Sequence, residues 1–471
     1  MLTQTARPVP GPAFDPRPTR VRGSRPHAAE LDVVRPVASV LVILTHAMQM
    51  FAATGSIFYG AITLESQASR HVFFFVSALV LTWQAYQRPR WSPWRFWGRR
   101  GLIIVVPYAL WVLIYWAVGL AGLHGDTIPG HAGSLLANVK SAGMQLITGP
   151  GHLYFVFVLM QFYLVFPLLL ALLQRAQRWH WAILGASLAV QLVVTFALHY
   201  GHWTWSPWYD LGSTRQLSSY VFYLVAGAVI GAHLPAVRAW IWRHRWLVLI
   251  AAVAIILAVE AWYGLTVHSG QSATGTADPF SPEAIASYTG TFALLWMIGA
   301  FWANWSRGRP GRRASRSDGR LSRLVRTTSD NSYGVYLSHI VFLDILATLG
   351  LSRLNAHLPW PVTVLIAVLV AWTAASLLTV TLARTPLSRW LTGRARRPGR
   401  GGPPPVGWGT DLGSEARAGT EPGLAPAPDP GHPVQPSSTF PQQHHRSSEN
   451  SQSTPGPDTG DISGPGATLT R

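Results

Sequence analysis

The 471 residues contain no cysteine, and only 12 % of them are Asp, Glu, Lys or Arg, about half the share usual in a soluble domain. Without cysteine there is no disulfide scaffold, no thiolate nucleophile and no cysteine-held metal; the redox compartment is left open. Charge is missing altogether from long stretches such as Ala109 to Gly122 and Val362 to Leu382, and runs of that kind belong in a bilayer. Residues 1 to 30 are rich in Pro and Arg and lack the apolar core of a cleavable signal peptide, so the first membrane helix is expected to direct insertion itself. The His-Glu-x-x-His zinc motif, Gly-x-Ser-x-Gly and the phosphate-binding Gly-x-x-x-x-Gly-Lys-Ser/Thr loop are all missing. No metal site is expected.

What the chain does have is apolar spans. Their lengths predict helices near residues 33–52, 71–86, 102–122, 153–173, 181–199, 217–233, 246–264, 285–305, 332–350 and 361–383. The expected fold is therefore all-α, a polytopic membrane bundle of about ten transmembrane helices. A net charge of +18 invites a nucleic-acid reading, but the arginines stand in short runs between the apolar spans. They fall on one side of the predicted topology: five in the N-terminal flank, five from Arg88 to Arg100, two at Arg175 and Arg178, three from Arg238 to Arg245, eight from Arg307 to Arg326 and six from Arg384 to Arg400. Only Arg70, Lys140, Arg215 and Arg353 fall on the other. This asymmetry of 29 to 4 predicts cytoplasmic termini in an inner or plasma membrane, with the lipid bilayer and not nucleic acid as partner.

Three segments follow from composition: a disordered basic stretch at 1–30, a transmembrane domain at 31–390 and a disordered cytoplasmic tail at 398–471. The tail is dense in Pro, Gly, Ser and Thr and too poor in apolar residues to fold. It carries no catalytic motif, and no internal repeat is evident.

Ionisable groups within apolar spans are costly and ask for a reason. The first span has Asp32 placed to cap its start and Pro36 in its first turn, with Arg35 and His46 eleven residues apart. Eleven residues make about three turns and about 16 Å, so the two side chains share a helix face. Such a pair can line one cavity. Alternatively, Arg35 snorkels to the interface and His46 makes an interhelical hydrogen bond. His152, His199, Glu260 and Asp344 fall toward the opposite end of the spans, and His339 near mid-membrane; acceptor binding and structural pairing both remain open for them. Trp203, Trp205, Trp208 and Tyr209 crowd one loop, suited either to a sugar ring or to interfacial anchoring.

The segment from Leu31 through Arg35 to His46 resembles the acyltransferase-3 signature, an Arg and a His separated by ten residues in the first helix. Further matches follow in order: Phe73-Phe-Phe-Val-Ser77, Phe96-Trp-Gly-Arg99-Arg100 with Pro107-Tyr108, His152-Leu-Tyr154-Phe with Gln161-Phe-Tyr163 and Pro167, and Ser332-Tyr-Gly-Val-Tyr-Leu-Ser-His339. The fourth-helix match resembles members that modify extracellular polysaccharides. Pro36 and Ala78 stand where the family usually has Gly, and Ile103 where a third basic residue often follows the arginine pair.

The resemblance implies an integral membrane O-acyltransferase. It moves an acetyl or other short acyl group from cytoplasmic acyl-CoA, a donor substrate and not a resident cofactor, to a hydroxyl of an extracytoplasmic glycan or small acceptor. By the same resemblance Arg35, Arg99 and Arg100 meet the CoA phosphates. His46 acts as general base or, less simply, as acyl carrier. His152, Tyr154 and His339 bind the acceptor. A glycan or lipid-linked sugar transporter is the rival expectation, since buried His, Glu and Asp also describe a translocation path.

Overall fold

The computed structural model describes residues 28–88, 91–120, 134–200, 213–306 and 316–394. The tail at 398–471, residues 1–27 and the aromatic cluster at Trp203 to Tyr209 lie outside them. Every described regular element is a helix. In chain order these are α1 (Leu31–Phe51), α2 (Ile57–Ser66), α3 (Ala68–Tyr86), α4 (Pro93–Arg100), α5 (Val106–Leu120), α6 (Leu135–Thr148), α7 (Tyr154–Arg175) and α8 (His180–His199). They continue with α9 (Val221–Ala232), α10 (Leu234–Arg243), α11 (Arg245–His268), α12 (Ala273–Thr276), α13 (Pro282–Ser306), α14 (Arg316–Thr348), α15 (Trp360–Leu382) and α16 (Ser388–Thr392).

All ten predicted spans are helical where they are described, but not all are apolar enough to count as spans. Among the described residues seven stretches are long and apolar enough to cross a bilayer: 31–51, 93–120, 136–175, 177–199, 245–268, 282–306 and 360–382. An eighth is reached if α9 and α10, bent by 92°, form one broken span. By this measure the count of ten is not confirmed, and seven or eight of the spans qualify. The second and ninth predicted spans correspond to α3 and α14, whose mean hydropathy is lowered by Arg70 and His71 in one and by Arg316 to Arg326 in the other. Both are central to the packing, and their apolar faces meet other helices.

The helix α1 is the axis of the bundle, packed by α3, α13, α14 and α15. Its residues Val34, Ala38 and Ala47 are completely buried. The start of α1 is tied down by Glu30, which accepts from Arg238 at 2.5 Å. By contrast α8 and α11 lie at the periphery and show Val193, Leu257 and Leu265 outward, the apolar surface that lipid requires. Helices α3 and α9 pack backbone to backbone. Gly227 and Gly231, one turn apart, lie so near α3 that a Cβ would come within 2.2 Å of the Phe75 carbonyl oxygen and 2.5 Å of that of Leu79. Small residues at this spacing let two backbones meet in a membrane, where dispersion and not the hydrophobic effect holds helices together. The end of the described chain is anchored as well: Trp111 on α5 donates to the carbonyl of Leu391 in α16 at 2.9 Å. That helix straddles the boundary expected at residue 390.

Candidate functional site

Helix α1 begins one residue before Asp32, with Glu30 at the cap position. Asp32 is therefore not a cap: it lies in the first turn, where its charge favours the helix N-terminus, and pairs with Arg326 at 3.9 Å. Pro36 is likewise not in the first turn but inside the helix, where its missing N–H leaves the carbonyl four residues back without its usual partner. The hydroxyl of Ser39 donates to the neighbouring Arg35 carbonyl at 3.0 Å. The helix continues unbroken to Phe51, so Arg35 and His46 stand on one rigid element.

His46 opens into a cavity of about 500 Å³. Two further imidazoles gather around it. His46 lies 5.4 Å from His339 and 6.1 Å from His152, and those two lie 5.0 Å from each other, all between ring centroids. Three distant segments supply them: α1, the turn before α7, and α14. In that turn Gly149 and Gly151 hold φ of 68° and 48°, the left-handed region, and a Cβ on Gly149 would meet Tyr154 Cα at 2.9 Å. The chain can therefore reverse sharply and place His152 in the interior, where Tyr336 donates to its backbone carbonyl.

The hydrogen bonds assign ring roles. Nδ1 of His339 faces the Tyr336 carbonyl at 2.6 Å, and a carbonyl only accepts, so that nitrogen carries the proton. Nε2 of His339 is left as an acceptor, buried and without a hydrogen-bond partner among the described residues. Both ring nitrogens of His152, one a donor and one an acceptor, are likewise buried without a hydrogen-bond partner among the described residues. Nδ1 of His46 meets Gln49 Oε1 at 3.2 Å, one turn along α1. With that oxygen accepting, Nε2 of His46 keeps its lone pair. Unpaired imidazole nitrogens at buried positions are costly and mark a place where a polar ligand belongs. Among the described residues no group of His, Asp and Glu is arranged to hold a metal ion.

Arg35 faces a second cavity of about 80 Å³, which it lines together with Arg100, Ser77 and Asp330. Arg100 also lines a third, of about 140 Å³, together with Arg88, Arg95 and Arg99. Phe73, Phe155 and Tyr336 form the wall shared by the His46 and Arg35 cavities, while Leu81 and Arg100 link the Arg35 cavity to the arginine-lined one. All three predicted arginines thus come together, with Arg100 at the junction. Docking of α4 on α7 places the pair: Trp97 donates to the Tyr163 carbonyl at 2.8 Å and Arg100 stands 5.8 Å from the Tyr163 ring centre. A π-helical turn over Gly101–Val105 separates the register of α4 from that of α5.

Four contributors escaped sequence reading. Arg394 pairs with Asp330 at 3.3 Å and brings positive charge beside the Arg35 cavity, next to Gly393, which packs on the carbonyl of Ile103. Gln49 orients His46. Arg70 and Arg215 line the His46 cavity, with Tyr154 accepting from Arg70 at 3.0 Å. Their signal lay in the charge count, as two of only four cations on their side. Of the other polar candidates, His199 pairs with Asp278 at 2.7 Å, and neither Glu260 nor Asp344 lines the cavity. Glu260 lies near Glu65, whose carboxylate accepts from Ser287 and, at 2.6 Å, from Thr291.

A family model described as an acyltransferase domain matches residues 28–379, from the turn before α1 to within α15. No curated protein and no solved structure matches the chain.

Proposed function

Since the chain belongs to the acyltransferase-3 family, and is thus a multi-pass membrane acyltransferase for groups other than aminoacyl, we propose that it carries an acyl group across the bilayer. The donor is acyl-CoA on the cytoplasmic side and the acceptor a hydroxyl of a glycan or other molecule on the far side. One observation carries this reading. Arg35 and His46, on one face of α1, open into two cavities that share a wall, one joined to an arginine-lined cavity and the other lined by His46 and His152, against whose rings His339 packs.

The donor phosphates pair with Arg99, Arg100 and Arg35 through charge-assisted hydrogen bonds, for which guanidinium geometry is well suited. The pantetheine arm runs along α1 and passes Phe73, Phe155 and Tyr336, so that the thioester arrives beside His46 about 16 Å away. Nε2 of His46 takes the proton of the acceptor hydroxyl while that oxygen attacks the thioester carbonyl carbon. The tetrahedral intermediate collapses with cleavage of the C–S bond. The His46 imidazolium returns its proton to the departing sulfur, so the products are an ester and free CoA thiol. His152, Tyr154 and His339 hold the acceptor. The 29 to 4 asymmetry of basic residues supports cytoplasmic termini, and the acyl group is proposed to be a short one such as acetyl. The segments at 1–27 and 398–471 belong to this proposal as cytoplasmic extensions; residues 28–30, expected within the N-terminal extension, instead join the helical domain, where Glu30 pairs with Arg238.

Sealed inverted membrane vesicles test the scheme. Acyl-labelled CoA supplied to their outer face, the former cytoplasmic side, should label an acceptor inside the lumen. Label confined to the outer face, or an unmodified glycan moved across instead, would favour the transport reading.

A further inference from the structure

The His46 cavity carries a charge that acyl transfer to a neutral hydroxyl does not call for. Arg70 of α3 and Arg215 of the segment before α9 both line it, and among the described residues no Asp or Glu does. Neither arginine has an ion pair with any described residue. Among the described residues the side chain of Arg70 is held by neutral groups, the Tyr154 hydroxyl at 3.0 Å, the Gln67 side-chain oxygen and the nearby Tyr220 hydroxyl, with the Phe280 ring 5.9 Å from its guanidinium carbon. The nearby acids are engaged elsewhere, Asp278 by His199 and Glu65 by Ser287 and Thr291. A half-buried guanidinium without a counter-ion is expensive, and two in one cavity more so.

Their placement is built, not incidental. Gln161 on α7 donates from Nε2 to the Arg215 carbonyl at 2.8 Å and accepts from the Leu217 N–H at 3.2 Å, and Tyr220 donates to the Thr214 carbonyl at 2.9 Å. These bonds fix the backbone on both sides of Arg215 at the cavity. Arg70 is close enough to His46 for its charge to act on that imidazole. Whatever binds there lies within reach of both.

We propose that the acceptor is an anion, and that Arg70 and Arg215 grip a carboxylate or phosphate of it while His46 addresses a neighbouring hydroxyl. This rests on the transfer reading above and narrows its acceptor. Neutral glycans are then poor acceptors, since they leave two half-buried cations without a partner among the described residues. A guanidinium also binds carboxylate and phosphate alike, so the two sources have to be told apart by experiment.

Native cells carrying the wild-type or the His46→Ala chain supply membranes for the test. These are given acyl-CoA labelled in the acyl group, and the product, freed of CoA, is run on an anion exchanger at neutral pH. The expected result is His46-dependent label that is retained. Amidation with carbodiimide abolishes retention if the anion is a carboxylate, and hydrofluoric acid does so if it is a phosphate. Arg70→Gln and Arg215→Gln should each raise the acceptor KM about 10- to 100-fold with acyl-CoA affinity unchanged, which also reports correct folding, and Arg70→Lys should restore part of the loss. His46-dependent label in a neutral product overturns the proposal. So does a fall in acyl-CoA affinity in either variant, which would place donor phosphates in this cavity. Absence of any His46-dependent label would overturn the transfer reading itself.

Discussion

The His46 and His339 rings stand 5.4 Å apart, one on α1 and the other on α14. Their hydrogen bonds turn Nδ1 of each toward an oxygen, of Gln49 in one case and of Tyr336 in the other. Each therefore keeps Nε2 as an acceptor. Two acceptor nitrogens this close, with His339 packed behind the His46 ring, divide the work: one removes a proton and the other receives a hydrogen bond from the acceptor. His339→Leu should accordingly raise the acceptor KM about 5- to 100-fold, the cost of one lost hydrogen bond in a buried site, and leave acyl-CoA binding intact. Steady-state kinetics with varied acceptor decide this, and an unchanged KM would return His339 to a purely structural role.

Donor binding should depend on the junction arginine. Arg100 lines both the Arg35 cavity and the arginine-lined one, so Arg100→Ala should weaken acyl-CoA about tenfold to a hundredfold, and Arg99→Ala should do so less. Titration calorimetry on purified protein measures this. Equal affinity after loss of both arginines would remove the phosphate assignment.

The turn that places His152 makes a prediction about stability. Ala at position 149 would have to adopt φ near 68° and press its Cβ to 2.8 Å from that of Phe157. Gly149→Ala should cost about 1 to 3 kcal/mol and depress transfer, because His152 moves with the turn. Thermal unfolding in detergent alongside an activity assay checks both halves. A variant as stable as the wild type would show that this turn is not constrained.

Topology is open to direct labelling because no native cysteine competes. Arg320→Cys should react with impermeant maleimide only from the cytoplasmic side and Arg353→Cys only from the opposite one, as the arginine asymmetry demands. Reaction of both from one side would contradict the orientation assumed for donor and acceptor.

Much of this was legible before any coordinates. Helix α1 was readable because its apolar run is long, and the shared face of Arg35 and His46 follows from helical geometry alone. Asp32 and Pro36 were misplaced because helix α1 starts at Leu31, and the last few residues of a helix end are set by local contacts such as that of Glu30 with Arg238. Arg70 and Arg215 were legible as charges but not as cavity residues, since Gln161 holds the Arg215 segment from 54 positions away. Arg394 was hidden for the same reason, its partner Asp330 being 64 positions distant. Short helices such as α6 and α16 fell below what apolar length can reveal.

The central claim is that His46 performs the chemistry while the donor is held elsewhere, and transfer compared with binding in His46→Ala tests it most directly. Purified His46→Ala should bind acyl-CoA with wild-type affinity, because the phosphate site lies about 16 Å along α1. Its rate of acyl transfer should fall by about 10² to 10⁴, the usual contribution of a general base. A well-folded His46→Ala chain that transfers acyl groups at the wild-type rate would contradict the account.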